Sequence, residues 1–326
     1  MPRSRGSACA CRKSFAVRPG SETGISTGVS TKRTICETGG AASPSTQELR
    51  PAILLTNAIN RGGDDLSGTW TYSKDRYRVS LSEMNDSPPD PRNLRYRDIN
   101  VQAEEKANPN IFFEYDMQRA PRVTLPGSWN MPNTELRFYD GLMWYQRTFQ
   151  ARDLGKDSNT QRAFLRFEAV NYKASVYLNG KFVGKHEGGF TPFSFEVTSL
   201  LRKGENQITV GVDSTRTDES IPPTFTDWEL YGGITRPVYV IYTPKTYIDD
   251  QHMSLNDDGS ISASVKLDGP AAANQPVTLN IAELGVKLTA STDPAGQARF
   301  TVQAPAGLQR WSPESPKLYE VTVQAG

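Results

Sequence analysis

Residues 175–183 read SVYLNGKFV, and this stretch constrains the fold more than any other in the chain. Val176 and Leu178 alternate with Ser175 and Tyr177. Asn179-Gly180 then supplies the dipeptide that a two-residue type I′ turn needs, because both central residues must adopt φ > 0. Phe182-Val183 opens a return strand, so the spacing predicts a tight antiparallel hairpin. The same period of two recurs nearby. Phe193, Phe195 and Val197 alternate with Ser194 and Glu196, and Ile208, Val210 and Val212 alternate further on, each pattern predicting a half-buried strand. Helical periodicity is weak, and only residues 100–108 carry a trace of it. Many short strands at such spacing predict an all-β protein, a sandwich or jelly roll.

The pattern changes at Thr243-Pro244. Beyond it, the turn clusters Asn256-Asp257-Asp258-Gly259 and Asp293-Pro294-Ala295-Gly296 separate strands expected at Ser260–Leu267, Val277–Ala282, Ala298–Val302 and Leu318–Val323. That spacing suits an immunoglobulin-like sandwich, one that lacks a strand at its C-terminal edge. The expected organisation is a tail over residues 1–64, a jelly roll over 65–243 and an immunoglobulin-like sandwich over 244–326.

The first 63 residues hold nine Lys and Arg, three Asp and Glu, and Phe15 as their one aromatic residue. A segment so poor in apolar groups cannot offset its chain entropy by burial, and disorder is expected there. Arg12 and Lys13 interrupt SACACRKSFAV where a signal peptide needs an unbroken apolar run. With no clear leader, a cytoplasmic and a periplasmic or secreted location both stay open. Cys9, Cys11 and Cys36 also fall in this tail, with no histidine near them to complete a metal site. Net charge is +1, from 37 Lys and Arg against 36 Asp and Glu, which gives no reason to expect nucleic acid as a partner. No apolar run approaches the roughly 18–20 residues of a membrane span. The motif H-E-x-x-H and a glycine-rich phosphate loop are absent, so neither metal nor cofactor is expected.

Five stretches in order carry a resemblance: LSGTWTY (66–72), LPGSWN (125–130), DGLMWYQRTF (140–149), KHEGGFTPFSFEVT (185–198) and WELYGGITRPVYV (228–240). Together they resemble the non-catalytic front of family 2 glycoside hydrolases, nearest to the β-glucuronidases. WSPESPKLYEVTV (311–323) resembles the end of that family's second domain. The resemblance implies a jelly-roll, galactose-binding-like domain, then an immunoglobulin-like domain, then a catalytic TIM barrel holding two glutamates. A retaining glycosidase needs its two carboxyl groups about 5–5.5 Å apart. The family's acid/base glutamate follows an asparagine, and this sequence has no Asn-Glu pair. A barrel takes about 250 residues. The chain therefore reads as the accessory part of a hydrolase of terminal β-linked sugars, expected to hold no catalytic residue and to meet its carbohydrate substrate through a barrel it lacks. A stand-alone carbohydrate-binding module and an assembly module are the alternatives, and the resemblance also implies homo-oligomers.

Asp227 matches, by its distance from Gly233-Ile234 and Arg236, a family aspartate that reaches sugar hydroxyls in the barrel's active site. A carboxylate accepts such hydroxyls through strong charge-assisted bonds. A loop aspartate capping a turn is the competing role. Trp70, Trp129 and Trp144 are expected in the core, Arg147 and Arg236 in ion pairs or interdomain contacts, and 256–259 in a hairpin turn. The glycines and Pro192 of KHEGGFTPF are expected to shape a tight bend, with His186 as a polar loop residue.

Overall fold

The computed structural model describes residues 52–56, 58–76, 117–131, 135–152, 154, 161–303 and 305–326. The weak helical signal at 100–108 lies outside them.

Ten strands build the first sandwich: β1 (Gly63–Asp65), β2 (Gly68–Asp75), β3 (Arg122–Leu125), β4 (Leu142–Ala151), β5 (Gln161–Phe167), β6 (Lys173–Leu178), β7 (Lys181–Glu187), β8 (Phe193–Glu196), β9 (Gly204–Asp213) and β10 (Val238–Pro244). They form a six-stranded sheet ordered β3-β2-β4-β9-β6-β7 and a four-stranded sheet ordered β1-β10-β5-β8, every pair antiparallel. The hairpin expected from SVYLNGKFV joins β6 to β7. Asn179 and Gly180 take φ of 54° and 75°. Asn179 does more than turn: its buried amide donates to Asn206 Oδ1 at 2.8 Å and to the Leu200 carbonyl at 3.0 Å.

Between the sheets lie Trp70, Trp129, Tyr145, Phe167, Phe193, Phe195 and the alternating Ile208, Val210 and Val212. Trp70 and Trp129 are core residues, as the sequence implies, and so is Trp144 on the opposite face of the six-stranded sheet. The central strands are not half-buried. Leu142 to Gln146 are buried without a break, because Met117, Tyr177 and Phe182 cover the outer face against Trp144. Phe193, Ser194 and Phe195 are likewise all buried.

The expected tail over residues 1–64 lies largely outside the described residues, but 52–56 and 58–64 are ordered, which corrects that expectation. Ile53 exchanges two backbone hydrogen bonds with Ser194 at the edge of β8, and Leu55 is buried against Phe164, Ile241 and Tyr247. The apolar run AILL at 52–55 supplies contacts that the average composition of the first 63 residues hides.

The second sandwich holds β11 (Tyr247–Leu255), β12 (Ile261–Asp268), β13 (Pro276–Ile281), β14 (Val286–Ser291), β15 (Gln297–Val302) and β16 (Thr322–Ala325). Its sheets are ordered β11-β12-β15 and β14-β13-β16 around Val265, Leu267, Val277, Leu279 and Phe300. Residues 256–259 form the β11–β12 turn as expected, with the Gly259 N–H donating to the Asn256 carbonyl. The last strand is displaced. Residues 318–321 have no strand pairing, and only Thr322–Ala325 adds to β13.

Charged groups join the sandwiches. Arg162 on β5 donates to Glu196 at 2.8 Å and to Asp268 of the second sandwich at 2.5 Å. Its guanidinium and that of Arg61 each lie about 5 Å from the ring of Tyr247. Arg61 also donates to the Ile248 carbonyl at 2.5 Å. The architecture is a jelly roll followed by an immunoglobulin-like sandwich.

Candidate carbohydrate cleft

The connection from β9 to β10 runs from Ser214 to Pro237 without a strand. Connections this long without regular structure are uncommon and usually functional. This one is pinned at both ends. At its start, Ser214 Oγ donates to Asp140 at 2.5 Å and accepts the Gly141 N–H at 2.9 Å. Arg216 stacks on the Tyr172 ring, 4.4 Å from its centroid, and donates to Asn171 Oδ1 at 2.6 Å. At its end, the Gly232 N–H donates to Asn130 at 2.8 Å, and Gly233 and Asn171 exchange both backbone bonds. Gly232 and Gly233 are needed there. A Cβ on Gly232 would lie 2.1 Å from the ring of Trp129, and one on Gly233, already at φ +136°, would lie 2.6 Å from the Gly127 carbonyl oxygen.

Between these anchors the loop, Asn130 and residues 137–140 line a cleft of about 440 Å³. Its walls offer the rings of Phe138, Tyr139, Trp228 and Tyr231 and the polar groups of Asn130, Asp140, Ser214, Arg216, Thr224 and Thr226. Two arginines, Arg137 and Arg216, are balanced by Asp140 and Glu229. Rings beside convergent hydrogen-bonding groups, with no excess of charge, suit an uncharged polyhydroxylated ligand. Phe138, Phe225 and Trp228 are largely exposed, an unusual density of large apolar groups on one surface. Asp227 is exposed, between Thr226 and Trp228 of the cleft wall.

The bend in KHEGGFTPF supports this site from behind. Gly188 takes φ +130°, and a Cβ on Gly189 would meet Asn171 Oδ1 at 2.3 Å. That is the oxygen that accepts from Arg216. The glycines thus serve close packing, and the packing fixes a cleft residue. His186 is not a loop residue. It lies on β7, its ring stacked 4.0 Å from that of Phe193, and its buried Nε2 has no hydrogen-bond partner among the described residues. Burial holds its pKa below the usual histidine value of 6.5. The folded state therefore resists protonation while the unfolded chain accepts it. Stability is fully present above the unfolded value and is lost as pH falls below it. Urea denaturation should place the midpoint lower at about pH 5.5 than at about pH 7.5. In His186→Gln this difference should shrink; an unchanged difference would assign it to other groups.

Among the described residues Arg147 forms no ion pair of the kind expected. It donates to the carbonyls of Leu66 and Ser67 at 2.6 and 2.5 Å. Arg236 reaches the Phe190 carbonyl. Asp140 sits in the quoted DGLMWYQRTF stretch and Tyr231 in WELYGGITR, so motif order held a signal for both. Asn171, Ser214 and Arg216 had none, because their partners are distant in sequence.

An antiparallel jelly roll with a ring-lined cleft, followed by an immunoglobulin-like sandwich, is an architecture of carbohydrate-active proteins. Residues 64–244 match the sugar binding domain of glycosyl hydrolases family 2, and the chain belongs to that family. It is 30% identical over 235 residues to a β-galactosidase of Thermoanaerobacter pseudethanolicus, covering 68% of this chain and 31% of that protein. It is 28% identical over 242 residues to a β-glucuronidase of Bacteroides fragilis, covering 66% of this chain and 34% of that protein. Among solved structures, a β-glucuronidase of an uncultured Clostridium sp. superposes with a TM-score of 0.60 at 26% identity, over 88% of this chain and 44% of that one. The chain spans about a third of the length of these curated relatives.

Proposed function

We propose that this chain is the non-catalytic front of a retaining β-glycosidase, nearest in kind to a β-glucuronidase, and that Asp227 contacts the hydroxyls of the sugar being cleaved. The domains would be the jelly roll at 65–243 and the immunoglobulin-like sandwich at 244–326. What supports this reading is the setting of Asp227: exposed, on a loop anchored at both ends, with its sequence neighbours Thr226 and Trp228 lining the cleft. An aspartate that merely capped a turn would not need that anchorage. Family membership and the glucuronidase and galactosidase relatives support the reaction class.

The test is hydrolysis of aryl β-glucuronides and β-galactosides by the native gene product, with and without Asp227→Asn. The substitution keeps size and removes charge. It should lower kcat/KM roughly 10- to 100-fold, the scale of one hydrogen bond to a charged group. Turnover of neither substrate by the native product would overturn the reaction class. Turnover unaffected by Asp227→Asn would overturn the role of Asp227.

A second reading is favoured by one feature: every wall of the cleft belongs to this chain. A carbohydrate could then bind without a barrel. Calorimetric titration of the chain with methyl β-galactoside and methyl β-glucuronide tests it, and heats no larger than dilution would remove it.

A further inference from the structure

A second cavity, of about 530 Å³, opens elsewhere on the jelly roll, where β2, β3 and β4 meet residues 126–129, Met131 and Leu136. Tyr72 and Tyr145 stand directly opposite each other on β2 and β4 and both line it. Tyr145 is only 1% exposed, with its ring stacked on Trp129. Among the described residues no hydrogen bond reaches its hydroxyl or that of Tyr72, and the Tyr145 hydroxyl is open to the cavity. Burial and the neighbouring Tyr72 also push the Tyr145 hydroxyl far above its usual pKa, so it stays protonated and able to donate. Arg122 lines the same cavity from an exposed position on β3 and makes no ion pair among the described residues. The remaining wall is mainly apolar, from Val123, Pro126, Met131 and Leu136.

Two unpaired phenols beside an apolar wall, with an unpaired guanidinium, form a consistent set. The phenols donate to oxygen acceptors, the guanidinium matches a carboxylate, and the volume falls within the usual range for a small-ligand site. We propose that this cavity binds a small ligand with one six-membered ring carrying a carboxylate, its oxygens held by Tyr72, Tyr145 and Arg122. A sugar acid and an aryl carboxylate share this chemistry. The site is separate from the cleft beside Asp227, and the proposal stands whether or not the chain serves a glycosidase.

The experiment is calorimetric titration of the full chain with glucuronic acid, benzoic acid, methyl glucoside and benzyl alcohol, each up to about 10 mM. At least one of the acids should bind, and its uncharged counterpart should bind at least about tenfold more weakly. Glucuronic acid alone would identify a sugar acid, benzoic acid alone an aryl acid, and both would leave the shared chemistry as stated. Tyr145→Phe and Arg122→Gln should each weaken the binding acid about tenfold, the loss of one good hydrogen bond. Tyr145→Phe should melt no lower than the parent, since the hydroxyl it removes has no hydrogen-bond partner among the described residues. Absence of binding by both acids would overturn the proposal. So would equal binding of an uncharged counterpart, affinity unmoved by either substitution, or a much lower melting temperature for Tyr145→Phe, which would reveal a structural partner for the hydroxyl.

Discussion

Gly233→Ala is expected to cost at least about 3 kcal/mol of stability and to release the loop that carries Asp227. Two penalties fall on one atom. The backbone at Gly233 has φ +136°, a region that L side chains rarely adopt. The added Cβ would also lie 2.6 Å from the Gly127 carbonyl oxygen and 3.2 Å from Ser128 Cα. Those are backbone atoms, so no side-chain rotation relieves the overlap. Moving Gly233 away would break its two hydrogen bonds with Asn171, whose side chain holds Arg216. Gly62→Ala is the matched control in the same sandwich. It too has positive φ, +69°, but its Cβ would meet nothing within 4 Å. It should cost only about 1–2 kcal/mol, the left-handed penalty alone. Urea midpoints of both variants, with limited proteolysis at 214–231, measure the difference. Equal midpoints would mean that the close approach of the 127–128 and 232–233 backbones carries no energetic weight.

Much of the fold was legible because it is written locally. Asn179-Gly180 sets a turn by its own φ preferences, and Ile208, Val210 and Val212 point one way by the pleat alone. What alternation cannot report is whether the second face of a strand is also covered. Alternation sets Tyr177 on the face opposite Val176 and Leu178, and that face is covered as well, by Met117, Trp144 and Phe182. The seam between the sandwiches was hidden for a related reason. Ile53 and Leu55 are a short apolar run in a polar neighbourhood, and their partners Ser194, Phe164 and Tyr247 lie more than a hundred residues away. The cleft was half legible. Motif order pointed to the segment around Asp227 and the glycines after it. The side chains that tie this segment down, Asn171 and Arg216, stand in no pattern, because a hydrogen bond between distant residues leaves no period in the sequence. His186 shows the converse. Adjacent glycines suggested a loop, yet β7 continues to Glu187 and the bend begins only at Gly188.

Trp144→Ala should destabilise the jelly roll by about 3–5 kcal/mol, the usual cost of emptying a buried tryptophan site. The indole stands across from Gly211 in the β4–β9 ladder, and a Cβ on Gly211 would lie 2.9 Å from its Cζ3. Its Nε1 donates to Asp75 Oδ2 at 3.2 Å, and Asp75 is fully buried. Trp144→Phe keeps most of the ring and loses that donor, so it should cost about 1–3 kcal/mol. The pairing with Gly211 makes a sharper test than either single change. In the parent protein Gly211→Ala should destabilise by about 1–3 kcal/mol, because the new methyl overpacks against the ring. In the Trp144→Ala background the same methyl enters vacated space and replaces a strand glycine, so it should stabilise, by about 0.5–1 kcal/mol. The sign of one substitution thus reverses with the residue opposite it, a coupling of at least about 1.5 kcal/mol. Urea denaturation of the four proteins in a double-mutant cycle measures it. If Gly211→Ala had the same effect in both backgrounds, Gly211 would be small for reasons of backbone conformation, and the indole would not be what excludes a side chain there.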